Sequence, residues 1–249
     1  MSLEVRRDYI NIYYRGGNLL KITQNKKGYS FYFDKKYCLN KNDDSAYEKL
    51  KALNSSSIEA YTTIFELMMR EMDSWFVAHP KKEREYQHNL LNQNPSIIDI
   101  EYQINRKTVN GRVRAMRLDM IMLIDDKMVI VENKYGENNV CGKAGLAKHY
   151  NDICMVLNDD SLHEELMASM KNIVLAKYQL GLTDKSMVGL KKEKTEILFL
   201  LAEYNTNSKI INNEISAMDA SVPARVLFTE ATEYKIDYKK ARDLFDYGS

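Results

Sequence analysis

The stretch Arg117-Leu118-Asp119-Met120-Ile121-Met122-Leu123-Ile124-Asp125-Asp126-Lys127-Met128-Val129-Ile130-Val131-Glu132-Asn133-Lys134 decides how the rest of the chain is read. Two apolar runs flank Asp125-Asp126, the pattern of a β-hairpin closed by a two-residue turn. With a symmetric turn, Ile124 faces Lys127 and facing positions sum to 251, which sets Asp119 opposite Glu132. Side chains alternate along a strand, so Lys134 shares a face with Glu132. The register depends on the turn: Asp-Asp lacks the glycine of the favoured hairpin turns, and an odd-length loop would shift the pairing.

Like charges directly opposed on neighbouring strands are destabilising, so two carboxylates at the end of apolar strands need a reason to be together. A divalent cation supplies one. Mg²⁺, or Mn²⁺ in its place, is a hard ion that takes carboxylate oxygens, keeps several waters and accepts substrate phosphate as a further ligand. A lysine beside such a site can hold the attacking water and stabilise charge developing on phosphorus. Asp119, Glu132 and Lys134 therefore read as a candidate phosphodiesterase site.

Working outward, residues 5–34 read as an antiparallel meander. Tyr9–Tyr14, Leu19–Gln24 and Tyr29–Phe33 are rich in aromatic and β-branched residues, with turn chemistry at Gly16-Gly17 and Asn25-Lys26-Lys27-Gly28. The expected organisation is a small β-subdomain over 1–42, then a helical lead-in and a core over 43–249. A long helix is expected over 57–78: Ser56 and Glu59 have capping-box spacing, and Ile58, Tyr61, Phe65, Met68, Met72 and Trp75 recur at helical intervals. A second helix follows at 81–93. Strands are expected at Ile97–Ile104, Val113–Ile124 and Met128–Lys134, then helices at 142–158 and 161–180. A strand at Thr195–Tyr204, a short helix at 208–218, a strand at Ala224–Thr229 and a last helix at 237–246 complete a mixed α/β order.

Asp119, twelve intervening residues, then Glu132-Asn133-Lys134 on a hairpin resembles the signature of the PD-(D/E)XK nuclease superfamily. That family's core is a helix, three antiparallel strands, a helix and a further strand, which is similar to the order over residues 81–204. Leu118 stands where the family's name has Pro. The resemblance implies a restriction-endonuclease-like mixed sheet flanked by helices, with the N-terminal meander as an addition. It implies Asp119 and Glu132 as metal ligands, Lys134 as the catalytic lysine and the backbone carbonyl of Asn133 as a further ligand. Such proteins often add an acid from the first core helix. Helical geometry favours Glu83, on the side of Tyr86 and Leu90, over Glu85, which points about 160° away. Glu101 on the first strand is a weaker candidate. Arg117 is a candidate for holding flanking phosphates. On the helix after the hairpin, His149 and Lys143 flank the apolar stripe of Leu146, Tyr150, Ile153 and Leu157, and are candidate substrate contacts.

The expected activity is thus Mg²⁺- or Mn²⁺-dependent hydrolysis of phosphodiester bonds in nucleic acid, with DNA as the substrate. The alternative is a catalytically inactive scaffold of the same fold that binds nucleic acid or protein. A further reading pairs residues 1–42 edge to edge with a second copy as a homodimer. Composition narrows the field. With 36 basic and 35 acidic residues the net charge is +1, so a nucleic-acid surface must come from local clusters such as Arg112-Arg114-Arg117 or Lys191-Lys192-Lys194. Cys38, Cys141 and Cys154 are too few and too scattered for a disulfide framework and fit a reducing cytoplasm. No apolar run is long enough for a bilayer span, so no membrane partner is expected. The four histidines lack zinc-ligand spacing, and no P-loop, GxGxxG or GxSxG segment occurs.

Overall fold

The structure, a computed structural model, describes the chain except residues 27, 40–43, 54–57, 108–112, 126, 137–139, 143–144, 185–193 and 248–249, and does not describe the side chains of 58–60, 106–107 and 113–114. The chain divides into two compact units, Met1–His88 and Asn89–Ser249. The capping box at Ser56 and the candidate Lys143 lie outside the described residues.

In the first unit, β1 (Ser2–Val5), β2 (Tyr9–Tyr14), β3 (Gly17–Asn25) and β4 (Gly28–Tyr32) form an antiparallel sheet in sequence order. The expected meander is present, with one more strand at its start. Arg15 and Gly16 make the β2–β3 turn, both at positive φ (49° and 75°), which glycine accepts without strain. Gly17 answers a different need. A Cβ there would meet the Met72 and Phe76 side chains at 2.7 and 2.9 Å, so its bareness lets α2 approach. α1 (Ala46–Ala52) is capped by the Ser45 side chain, and α2 (Ile58–Ala78) carries the long apolar stripe. Ile64, Met68, Met72 and Phe76 are buried, and Tyr61, Phe65 and Trp75 flank them against Leu19, Leu20, Phe33 and Tyr37. Tyr14 and Arg15 both reach Asp73, tying the turn to this helix.

α3 (Lys82–Gln93) leads to the second unit, whose six-stranded sheet uses β5 (Ile97–Lys107), β6 (Val113–Ile124), β7 (Lys127–Tyr135), β8 (Glu196–Ala202), β9 (Ala224–Thr229) and β10 (Arg242–Asp243). The order is β10-β9-β8-β7-β6-β5; β5, β6 and β7 are antiparallel, whereas β7, β8 and β9 are parallel. The parallel pairs require crossovers, which α4 (Leu146–Leu157) with α5 (Asp160–Gln179), and then α6 (Lys209–Ser216), supply. A parallel strand buried on both faces should be apolar without alternation, and Ile197 through Ala202 are all fully buried. The helices pack on the face carrying Ile130, Ile197, Phe199 and Val226.

The described residues thus form an α/β protein with a four-stranded antiparallel sheet and a six-stranded mixed sheet flanked by helices. The expected last helix at 237–246 is not formed. Tyr238–Lys240 is one 3₁₀ turn capped by the Asp237 side chain, and Arg242–Asp243 then pairs antiparallel with Val226 and Arg225. The open edge of β9 offers backbone partners that a helix could not use. Among the described residues no helix is long and apolar enough to cross a membrane. Cys38 and Cys154 are buried free thiols, and Cys141 is an exposed one.

Candidate functional site

The β6–β7 register is the expected one: Ile124 pairs with Lys127 and the ladder continues to Met120 with Val131. Asp125 adopts φ 53°, a left-handed conformation that aspartate tolerates in turns, so the hairpin closes without glycine. Asp119 and Glu132 are the next facing positions, and there the ladder stops. Instead the backbone N–H of Asn133 donates to Asp119 Oδ2 at 3.0 Å. The Asp119 side chain does the work of a strand carbonyl and sits in the seam between β6 and β7.

The cause is local to β5 and β6. Met116, Leu118, Ile121 and Leu123 all belong to or pack on the helix-side core, whereas Met120 and Met122 do not. The period-two alternation therefore changes phase between Leu118 and Ile121, at Asp119. On β5 the facing residue is Glu101, at φ 55°. Ile100–Met120 and Tyr102–Leu118 pair on either side of it, and no ladder pair forms between. Arg117 Nη1 lies 3.0 Å from Glu101 Oε2, an ion pair on the open side of the strand.

Glu132, Asn133 and Lys134 are all buried, at 1%, 1% and 5% exposure. Glu132 Oε1 accepts from Lys134 Nζ at 2.8 Å and lies 2.9 Å from His149 Nδ1; His149 Nε2 is 3.3 Å from Lys134 Nζ. These partners assign the imidazole proton to Nδ1, donating to Glu132, with Nε2 accepting from the ammonium. The three side chains close a ring with no net charge. Asn133 points to the opposite sheet face by alternation, and its Oδ1 is buried with no hydrogen-bond partner among the described residues.

His149 is brought here by the first turn of α4, whose buried stripe is Leu146, Tyr150, Ile153, Cys154, Val156 and Leu157. Gly145, the N-cap, has no side chain to satisfy the first N–H groups, and Glu214 of α6 does so by accepting from Ala147 N at 3.0 Å. A Cβ on Gly145 would meet Glu214 Oε2 at 2.6 Å and the Cys141 backbone at 2.8 Å. The helix is further pinned by Tyr150, whose hydroxyl donates to Val222 O and accepts from Val222 N.

Burial pushes the Asp119 carboxyl well above the usual carboxylate range, with the charges of Glu132 and Glu101 adding to the effect; Lys134 and the Asn133 N–H oppose it. Its anion is thus short of compensating positive charge. A divalent cation would supply it, and the donors present, carboxylate oxygens, are those a hard cation takes. Among the described residues no three acid, histidine or cysteine side chains already stand at ligating positions. The donor set fits such an ion in chemistry, with Glu132 Oε1 engaged by Lys134 and His149.

Of the residues singled out in the sequence, Asp119, Glu132, Asn133, Lys134 and His149 come together. Arg117 is on the same strands with its side chain 64% exposed. Glu83 belongs to the first unit, in the first turn of α3, half-buried while Glu85 is exposed, as helical geometry expected. The sequence reading did not include Glu214. A glycine at an N-cap, with no side-chain acceptor of its own, is the signal that a partner must be sought elsewhere. Comparison with family models, curated proteins and solved structures returned no match.

Proposed function

We propose that the protein is a metal-dependent nuclease of the PD-(D/E)XK type, hydrolysing phosphodiester bonds in DNA. The observation that carries this reading is the meeting of Asp119, Glu132 and Lys134 at the open end of an apolar hairpin. The helix, three antiparallel strands, helices and parallel strand from α3 to β8 support it, since that order resembles the superfamily core.

In this reading Asp119 and Glu132, with the carbonyl of Asn133, would hold Mg²⁺ or Mn²⁺. When bound, the ion would lower the pKa of a coordinated water and offset charge on the phosphate. Lys134 is fixed beside Glu132, so its ammonium can donate to the attacking water or to a phosphate oxygen at the same place. His149 holds the Glu132 carboxylate from the other side and limits its rotation. Arg117, on the exposed side, can bind a flanking phosphate.

The test is Mn²⁺-dependent cleavage of single-stranded and duplex DNA by the wild type, Glu132→Ala and Lys134→Ala, prepared identically. Cleavage by the wild type and its loss in both variants is the expected result. Equal activity in all three, or none in the folded wild type on any nucleic acid, overturns the reading.

One observation favours a second reading, a non-catalytic scaffold: the ring of Glu132, Lys134 and His149 is electrically closed without a metal. Calorimetric titration separates the two. Metal binding abolished by Glu132→Ala belongs to the nuclease, and no binding to the scaffold.

A further inference from the structure

The first unit carries a cluster of cations on aromatic rings that the hairpin site does not use. Trp75 and Phe76, near the C-terminal end of α2, meet edge to face with centroids 5.6 Å apart. Arg84, in the first turn of α3, lays its guanidinium against both rings, with Cζ 4.0 Å from the Phe76 centroid and 5.4 Å from that of Trp75. Arg15 approaches the same Phe76 ring at 5.6 Å. A Cβ on Gly16 would meet Arg84 Cγ at 2.6 Å, so the bare β2–β3 turn lets the arginine lie there.

The two guanidiniums differ in their partners. Arg15 is neutralised by Asp73 at 2.7 Å. Arg84 is half-buried and makes ring contacts only: among the described residues no acceptor takes a hydrogen bond from its side chain and no carboxylate pairs with it. Burial lowers the pKa of this guanidinium, and the nearby Arg15 charge acts in the same direction. Its planar fork of N–H donors matches a phosphate. Lys81 and Lys82 precede it and are exposed, and Lys81, three positions back, lies on the same side of the helical turn. His79 stacks on Trp75 with centroids 4.6 Å apart and is exposed, leaving its outer face to solvent. The contact between His79 Nδ1 and Trp75 O at 3.0 Å fixes that ring. Cations beside an open ring are what a single nucleic-acid strand binds, through phosphate and base together. An acidic peptide would use the cations and leave the ring without a role.

We propose that Arg84, Lys81 and the Trp75–His79 stack form a docking surface for a single strand of nucleic acid, with Arg84 on a phosphate and His79 under a base. The proposal rests on the nuclease reading, which makes nucleic acid the ligand, and adds to it a strand-binding surface within the first unit.

Trp75 is the chain's one tryptophan, so its fluorescence reports on this surface. The experiment is titration of the full chain with oligothymidylate in EDTA, where no metal-dependent cutting occurs. It is read by Trp75 emission and by anisotropy of an end-labelled strand, for the wild type, Arg84→Met and His79→Ala, with the Tm of each. Arg84→Met keeps an apolar stem over Phe76 and removes the charge. The expected result is a change in Trp75 emission on binding and affinity about tenfold weaker in both variants. In Arg84→Met the slope of log affinity against log salt should also fall by about 0.7, the value of one single-strand phosphate contact. An Arg84 that only covers Phe76 would lower Tm and leave affinity and slope unchanged, which overturns the proposal. So does strand binding that leaves Trp75 emission untouched, or a duplex of equal length bound as tightly. Polyglutamate that matches the oligonucleotide overturns it in favour of an acidic peptide. Mn²⁺-dependent cleavage by the same preparations judges the nuclease reading separately.

Discussion

His149 Nδ1 lies 2.9 Å from Glu132 Oε1, the same oxygen that Lys134 holds at 2.8 Å. One helix residue and one strand residue thus share a single acceptor atom on a side chain only 2% exposed. Removing either donor leaves a carboxylate in the interior with half its support.

Lys134→Met is the sharper of the two removals. It leaves the buried Glu132 carboxylate with the His149 contact alone, and the metal-free protein should lose about 3 kcal/mol. Glu132→Gln added to Lys134→Met should recover most of that, since no buried charge is left. Urea denaturation of the wild type, the single variant and the double variant measures both; a full, unrecovered loss in the double variant would contradict this account.

Asp119 makes the metal-free protein sensitive to pH in a stated direction. Its folded pKa lies above the unfolded value, so the folded state holds the proton more tightly. The associated stability is present at pH below the ordinary aspartate value, about 3.9, and is lost as pH rises through the raised folded value. Asp119→Asn keeps an acceptor for the Asn133 N–H and removes the charge. It should therefore be more stable than the wild type at neutral pH without metal, with the gap closing in acid. On the proposed metal-binding reading, saturating Mn²⁺ should reverse the order by stabilising only the wild type. Thermal denaturation across pH 4–8, with and without Mn²⁺, gives the comparison.

Glu196 predicts the opposite sign at the far end of the sheet. Burial works to raise its carboxyl, yet hydrogen bonds from Lys127 and Tyr238, with Arg225 Nε at 3.2 Å, hold it below the ordinary range. Its contribution is full above the unfolded glutamate value, about 4.3, and is lost as pH falls through the lowered folded value. Glu196→Gln should cost about 2 kcal/mol at neutral pH and progressively less in that acid window. A constant cost down to pH 2 would show that packing, not charge, is what the variant removes.

Gly145→Ala tests the link from α6 through α4 to the site. The added methyl meets Glu214 and the Cys141 backbone, and should cost about 1–3 kcal/mol. If the proposed nuclease reading holds, the same displacement shifts His149 and Mn²⁺-dependent cleavage should fall further than the loss of folded protein explains. Glu214→Gln, which keeps an acceptor for Ala147 N, should be nearly neutral in denaturation, while Glu214→Ala costs about 1 kcal/mol.

The central hairpin was legible because two apolar runs of matched parity around a short polar turn leave one register that buries them. The same register, carried one position past the end of the ladder, sets Asp119 facing Glu132 and puts Lys134 on the Glu132 face. The conformation of Glu101 left no such mark: nothing in a glutamate's own propensity picks out a single left-handed residue inside a strand. Glu214 was hidden for a related reason, since it acts on a helix 67 positions earlier. The last segment misled because Tyr238–Asp246 has no strong periodicity, and β9 decided its conformation by offering an unpaired edge.

The three thiols differ in a way that bears on how the molecule can be observed. Burial pushes the Cys38 thiol up to about 11 and raises that of Cys154, while Cys141 is exposed. A maleimide dye at neutral pH would then settle on Cys141, whose backbone touches the N-cap of α4. The native chain thus offers a labelling point beside the N-cap of the helix that carries His149, from which fluorescence could report on that helix end without substituting any residue.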